Sequence, residues 1–137
     1  MLINKRIMLL VIKDETFAGD VLNEIELEIA EQEISVKDII EMRVEREVEI
    51  YNRRIDDKFF NGLVVPTDAE KTLNGYKMKR NAKVDAEKQV YVALVAFQKN
   101  GYFVLIDDVQ CESLDQIVKI SENTKISFIK LTPLIGG

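Results

Sequence analysis

The chain has 137 residues, with 24 acidic and 19 basic side chains, a net charge of −5, no His and one Cys. The length is that of a single domain, and 47% apolar residues can build a core without disulfides. Without His there is no Ser-His-Asp or Cys-His nucleophile and no His-ligated zinc, and one Cys cannot form an internal disulfide. The acidic balance argues against general affinity for nucleic acid or anionic membranes.

The N-terminal third predicts two strands. Arg6 to Lys13 enclose six consecutive apolar residues, which is typical of a strand buried on both faces. The apolar run is too short to span a membrane and has no cleavage signal after it, so we expect a cytoplasmic protein. A polar stretch from Asp14 to Leu22 is predicted as a loop. Residues 23–29 then alternate strictly, which predicts an edge strand with an outward row of Glu.

Two helices are predicted in the middle of the chain. Ser35 is a suitable N-cap with Asp38 three residues later, and the helix should run to about Arg53. Residues at helical spacing form its predicted buried stripe: Val36, Ile40, Val44, Val48 and Tyr51, flanked by Ile39. The second helix should start after Asp85 and end near Asn100-Gly101, with Gly101 as the left-handed residue and a stripe of Val90, Leu94 and Phe97.

Residues 54–84 lie between the helices and are predicted as an ordered insertion. Turn signals occur at Asn61-Gly62, Pro66 and Asn74-Gly75. The apolar residues Phe59, Phe60, Leu63, Val64 and Val65 favour burial, and the two Phe more often belong to a core than to a ligand platform.

The last third predicts strands joined by turns. Residues 102–106 are apolar, Asp107-Asp108 favours a turn over a divalent-cation site, and residues 114–120 form a short extended piece. After a turn at 121–124, the strand 125–131 is largely apolar on both faces, so we place it centrally beside the first strand. The predicted architecture is α+β, a mixed sheet packed on a helix.

This order of elements resembles the β-grasp fold of ubiquitin. The segment 35–40, Ser-Val-Lys-Asp-Ile-Ile, is similar to the opening of the ubiquitin-like helix, and residues 124–137 resemble the last strand and Gly-Gly tail of ubiquitin-like modifiers. The tail is also similar to bacterial sulfur carriers of molybdopterin and thiamine synthesis. Residues 100–108, followed by Leu114-Asp115, resemble the C-terminal half of bacterial ubiquitin-like proteins. The resemblance covers residues 5–53 and 85–137 of one β-grasp domain, 1–137, with 54–84 as an insertion and 132–137 as a tail.

The resemblance implies a protein that is modified by others and is not itself an enzyme. The carboxylate of Gly137, reached through Gly136, would be activated with ATP by an E1-like enzyme and joined to target amines. An E2-like conjugating enzyme and a deconjugating protease are further implied partners. Glycine lets this tail approach an enzyme's backbone closely, and Pro133 stiffens its base. Leu134 and Ile135 would be apolar handles for the enzyme.

Several alternatives remain beside the modifier. The same carboxylate would become a thiocarboxylate in a sulfur carrier, and the fold could instead be a noncovalent interaction module. A frayed terminus can also end in two glycines by chance.

Cys111 is more typical of a small semi-buried residue than of a reactive thiol. The basic segment 71–88, with six Lys/Arg and two acids, favours a docking patch or solvated face over RNA binding because it has little interleaved aromatic character.

Overall fold

The computed structural model describes residues 6–53, 59–60, 62–64, 70–72, 75–77 and 83–131, without the side chains of 59–60, 70–72 and 75–77. Within these residues the chain forms two helices and ten strands. The strands are β1 (Met8–Glu15), β2 (Val21–Ile29), β3 (Glu33–Ser35), β4 (Phe59–Phe60), β5 (Glu70–Thr72), β6 (Gly75–Lys77), β7 (Tyr102–Ile106), β8 (Val109–Gln110), β9 (Ile117–Lys119) and β10 (Ile126–Lys130). The helices are α1 (Val36–Arg53) and α2 (Ala86–Gln98).

The main sheet is mixed, with the described strands in the order β2-β1-β10-β7-β8. β1 runs parallel to β10, with Ile12 opposite Ile126 and Asp14 opposite Phe128, and the other pairs in this sheet are antiparallel. The α+β class is therefore confirmed, and so is the prediction that the first and last strands are central neighbours. They are central because both present an apolar row to the core, formed by Met8, Leu10, Ile12, Ile126 and Phe128.

The prediction for β1 is wrong in two respects. The strand is not buried on both faces: Leu10 and Ile12 are buried, but Leu9 and Val11 are 59% and 44% exposed, because they point to the side of the sheet away from the core. The strand also continues through Asp14 and Glu15, where the sequence predicted a loop. Only residues 16–20 form the turn to β2, closed by hydrogen bonds from Thr16 N–H to Asp20 O and from Gly19 N–H to Thr16 O.

The hairpin partner β2 confirms the alternation prediction. Ile25, Leu27 and Ile29 are buried, while Glu24, Glu26 and Glu28 are exposed. β2 lies at the edge of the sheet order.

Helix α1 packs its predicted stripe on the inner face of the sheet, and every residue of that stripe is buried. Its start is capped as expected, since Ser35 Oγ accepts a hydrogen bond from Asp38 N–H at 3.0 Å. The residues just before β9 supply two more acceptors: Val36 N–H donates to Gln116 O and Lys37 N–H to Leu114 O. The first-turn amides of α1 are thereby satisfied by the chain that leads into β9.

Helix α2 begins after its predicted N-cap, Asp85, whose side chain accepts from Lys88 N–H. The predicted stripe is confirmed in part: Phe97 is buried and Val90 and Leu94 pack half-buried against the core, but Gln89 and Ala93 are the other fully buried residues of the helix. The prediction for the left-handed residue after the helix is wrong, because it is Asn100, with φ of 59°, and not Gly101.

Gly101 has a different structural reason to be glycine. A Cβ at this position would lie 3.2 Å from the carbonyl oxygen of Ala96, and Gly101 N–H donates to that same oxygen. The residue therefore allows the chain to pass close to the end of α2 as it enters β7.

The insertion is partly described. β4, β6 and β5 form a small antiparallel sheet, in which Thr72 pairs with Gly75, the second residue of the turn signal Asn74-Gly75. Leu63 and Val64 are buried as expected. The predicted burial of the Phe59 and Phe60 side chains and of Val65, and the turns at Asn61 and Pro66, lie outside the described residues.

The turns of the last third are confirmed. Asp107 and Asp108, with φ of 50° and 67°, join β7 to β8. Residues 121–124 form a turn closed by Ser121 N–H donating to Thr124 Oγ1. The expected extended piece 114–120 is a strand only at β9.

We predict that Phe128→Ala lowers the free energy of unfolding by about 3–5 kcal/mol, because Phe128 is completely buried at the centre of the sheet. Urea denaturation would measure this. Phe17→Ala is the matched control: its ring is 72% exposed, so its loss should cost below about 1 kcal/mol. Equal costs for the two substitutions would contradict the placement of β10 in the core.

Candidate functional site

The candidate site of this chain is the end of β10, where the last described strand leads into the predicted tail. Leu131 is the last described residue. The predicted site residues Pro133, Leu134, Ile135, Gly136 and Gly137 all lie outside the described residues, so their roles stay predictions. What the structure does describe is how the base of this segment is held.

A buried ion cluster lies under the end of β10. Arg43 of α1 is completely buried. Its guanidinium forms a bidentate salt bridge with the carboxylate of Asp14 on β1, in which Nη2 lies 2.7 Å from Oδ2. Its Nε donates to Glu47 Oε2 at 3.2 Å, one helical turn further along α1. The guanidinium carbon also lies 4.6 Å from the centre of the Phe128 ring, within the range of a cation–π contact.

The insertion joins this ion cluster through backbone groups. Leu63 N–H donates to Glu47 Oε1 at 3.0 Å, and Lys130 Nζ donates to Gly62 O at 2.8 Å. Lys130 Nζ also lies 3.6 Å from Asp14 Oδ2. Two cations and two anions therefore connect β1, α1 and β10 with residues 62–63, through the ion pairs Arg43–Asp14, Arg43–Glu47 and Lys130–Asp14.

Burial perturbs the charged groups of the ion cluster. Burial raises the pKa of Glu47 above its usual value, against the opposing effects of Arg43 and the Leu63 N–H. Burial lowers the pKa of Lys130, because it disfavours the charged ammonium, although the carboxylate of Asp14 raises the pKa in part. Burial also opposes the charge of Arg43, but the carboxylates of Glu47 and Asp14 outweigh it and raise the pKa of the guanidinium.

A second feature near β10 is an aromatic contact on the outer face of the sheet. Phe17, in the turn between β1 and β2, packs edge-on against Phe103 of β7, with ring centroids 6.0 Å apart. Phe103 is directly opposite Ile129 of β10. An exposed apolar surface therefore lies beside the strand from which the tail would leave.

The ion cluster was not predicted from the sequence, although the positions of its residues indicated it. Arg43 and Glu47 stand three and seven residues after Ile40, which places them on the stripe predicted as core. Lys130 likewise shares a strand face with Ile126 and Phe128. Charged residues at core positions are almost never fully buried unless they are paired, so these positions could have indicated a buried salt bridge.

The other candidates are placed as follows. Cys111 is fully buried rather than semi-buried, and burial raises the pKa of its thiol, which makes it a poor nucleophile. Asp107 and Asp108 stabilise the turn: Asp107 accepts from the backbone N–H of Lys125, and Asp108 accepts from its ammonium group.

Among the described residues there is no group of three or more acidic or Cys side chains placed to hold a metal ion. In that same part of the chain, neither helix is long and apolar enough to cross a membrane.

A comparison with protein-family models, curated proteins and solved structures found no match to this chain.

We predict that Arg43→Met destabilises the fold by about 3–5 kcal/mol, because Asp14 and Glu47 would be left as buried charges without their partner. Arg46→Met, on the exposed side of the same helix, is the control and should cost below about 1 kcal/mol, since its pair with Glu49 is exposed. Urea denaturation of both variants tests this. Similar losses for the two would show that the ion cluster contributes little.

We also predict that Glu47 makes the stability of the fold depend on pH. Its pKa is raised in the folded state, so folding favours its protonated form, and this contribution is lost as pH rises through the raised pKa. The free energy of unfolding of the wild type minus that of Glu47→Gln should therefore decrease as pH rises above the ordinary pKa of a Glu carboxyl. Denaturation over a series of pH values measures the difference, with Glu45→Gln on the exposed face as the control. A difference that increases with pH would refute this sign.

Proposed function

We propose that this chain is a ubiquitin-like protein modifier of the β-grasp fold. Its working group is the carboxylate of Gly137, which an E1-like enzyme activates with ATP and which is then joined to an amine of a target protein. ATP is used by the activating enzyme and is not a cofactor of this chain. The protein is the transferred group and has no catalytic residue of its own.

The observation that carries this proposal is the strand order β2-β1-β10-β7-β8, with β1 parallel to β10 and α1 following the β1–β2 hairpin. It agrees with the β-grasp resemblance noted from the order of elements. In such a sheet the last strand is central, so a C-terminal tail starts from the most firmly held part of the fold. The tail itself can then extend while its base stays fixed.

The ion cluster supports the same proposal. Lys130, the last residue of β10, is held by Asp14 on one side and by the carbonyl oxygen of Gly62 on the other. A tail that must enter the active site of another enzyme benefits from a fixed starting point, because less conformational entropy is then lost on binding.

The outer face supplies a surface that an activating enzyme could contact. Phe17 is exposed and packs on Phe103, and Leu131 is also exposed at the exit of the strand. Apolar side chains next to the reactive segment would orient the domain while the tail is being adenylated.

The chemistry of transfer requires only the tail carboxylate from this chain. Its oxygen attacks the α-phosphate of ATP, forming an acyl-adenylate and releasing pyrophosphate. An enzyme thiolate then displaces AMP, and an amine of the target displaces the thiolate to form an amide. The absence of His in the sequence agrees with a protein on which others do this chemistry.

The sequence offers a direct test by mass spectrometry. Trypsin cleaves after Lys130, so a target lysine joined to Gly137 keeps the segment 131–137, Leu-Thr-Pro-Leu-Ile-Gly-Gly, as a remnant. We expect this remnant on lysines of other proteins after the chain, ending at Gly137, is incubated with ATP and a lysate of its source organism. A chain lacking Gly136 and Gly137, and a reaction without ATP, are the controls.

Two results would contradict the modifier. Replacement of a tail oxygen by sulfur, without any remnant on lysines, would identify a sulfur carrier. If the chain lacking Gly136 and Gly137 performs every function of the full chain in the cell, the protein is a noncovalent interaction module.

A further inference from the structure

Helix α2 carries more apolar surface than the rest of the fold covers. Every residue from Val90 to Phe97 is apolar or aromatic, so over two turns apolar side chains lie on all sides of the helix. On one side Ala93 and Phe97 are buried, and the Phe97 ring packs against Tyr102 of β7. A helix that is apolar all round is ordinarily buried all round, but the opposite side of α2 is open to solvent.

The open side of α2 has an apolar centre, which we call the α2 stripe. It consists of Tyr91, Val92 and the half-buried Val95, and the first two are 69% and 38% exposed. Val95 is four residues after Tyr91 and three after Val92, and side chains at these spacings are neighbours on a helix surface. The three side chains therefore form one continuous apolar surface.

A lysine stands at each end of the α2 stripe. Lys88 precedes Tyr91 by three residues and Lys99 follows Val95 by four, so both lie on the same face as the stripe. Both residues are exposed, and in the part of the chain that the structure describes neither forms an ion pair. Lys88 also belongs to the basic segment 71–88, for which the sequence favours a docking patch. This face therefore presents apolar side chains between two positive charges on a protein that is acidic as a whole.

The shape of this surface selects a helix as its partner. The backbone groups of α2 are bonded within the helix, so they offer no unpaired row to an extended segment, as the edge of a sheet would. Side chains on a helix instead form ridges that fit between the side chains of a second helix.

We propose that α2 binds an amphipathic helix of a partner protein. The apolar face of the partner helix covers the α2 stripe, and an Asp or Glu at each end of that face pairs with Lys88 and Lys99. The two lysines are eleven residues apart, which is roughly 16 Å along a helix, so the two acids of the partner are separated by about three turns. This surface is not part of the tail, so the inference does not depend on the proposed function.

The charges of this chain disfavour a second copy as the occupant. Two α2 stripes packed on each other would bring lysines together at both ends, and like charges oppose such a contact. The acidic outer side of α1 does not fit either. Its exposed residues from Lys37 to Glu49 are all charged, so they offer no apolar side chain that could cover Tyr91.

The test uses three short peptides of identical composition, each held as a helix by a chemical staple. The first has glutamates at positions i and i+11 and leucines at i+3, i+4 and i+7, which places all five on one face. In the second the glutamates are moved to the opposite face, and in the third the leucines are dispersed around the helix. Each peptide is titrated into the isotopically labelled full chain and followed by NMR.

We expect the first peptide to shift the amide resonances of residues 86–99, with an affinity that falls as salt is added. The second peptide should bind several-fold more weakly, because its charges do not reach the two lysines. The third should not bind detectably, because its apolar side chains cannot cover the α2 stripe together.

A matched pair of apolar substitutions locates the contact. Tyr91→Ala should weaken binding of the first peptide roughly tenfold, because the exposed tyrosine is the largest apolar side chain that the partner covers. Ile117→Ala, on β9, removes a side chain that is 60% exposed outside α2 and should leave binding unchanged.

A matched pair of charge reversals tests the lysines. Lys88→Glu should weaken binding of the first peptide roughly fivefold, because an attractive pair becomes repulsive. Lys119→Glu makes the same change in net charge at an exposed position on β9 and should leave binding unchanged. All four substituted positions are exposed, so unperturbed core resonances verify that the variants are folded.

The proposal would be overturned if the first peptide does not bind, if all three peptides bind equally, or if the two members of either pair of substitutions have equal effects. Peptide-induced shifts confined to residues outside α2 would place the binding surface elsewhere. Shifts at residues 86–99 that grow with the concentration of the chain alone would show that a second copy occupies this face.

Discussion

The buried guanidinium of Arg43 is the interaction on which the rest of this structure depends. A cation without solvent is tolerable only with close anionic partners, and the helix and the first strand each supply one, Glu47 and Asp14. These requirements fix the rotation of α1 over the sheet and its position along β1. A shift of the helix by one residue would leave charges unpaired in the core. The same shift between purely apolar surfaces would cost less free energy.

The same ion cluster unites parts of the chain that are distant in sequence. Glu47 accepts from Leu63 and Lys130 donates to Gly62, so residues 62–63 of the insertion are bound to both α1 and the last strand. The insertion continues this contact with α2, since the Gln89 side chain donates to Val64 O at 2.7 Å. The insertion is therefore joined to the core through polar groups as well as through the burial of Leu63 and Val64.

The centre of the main sheet and its β2 edge differ in the interactions that they make. The centre, β1 and β10, is held by apolar packing and by ion pairs, and it is the part from which the proposed conjugation tail would leave. The β2 edge carries an exposed row of Glu and, within the described residues, pairs with β1 alone.

The sequence by itself determined the α+β class, the alternating β2, the caps at Ser35 and Asp85, and the central place of the last strand. These features follow from local periodicity and from hydrogen bonds within a few residues, which are written in adjacent positions. Only the tertiary structure decided that Arg43 and Glu47 are buried with Asp14 and that the half-buried Lys130 lies beside them. Their pairing joins residues far apart in the chain, and a charged residue on an apolar stripe does not reveal its distant partner. The exposure of Leu9 and Val11 was also decided by the tertiary structure, because a run of apolar residues does not show which face of the strand is exposed to solvent.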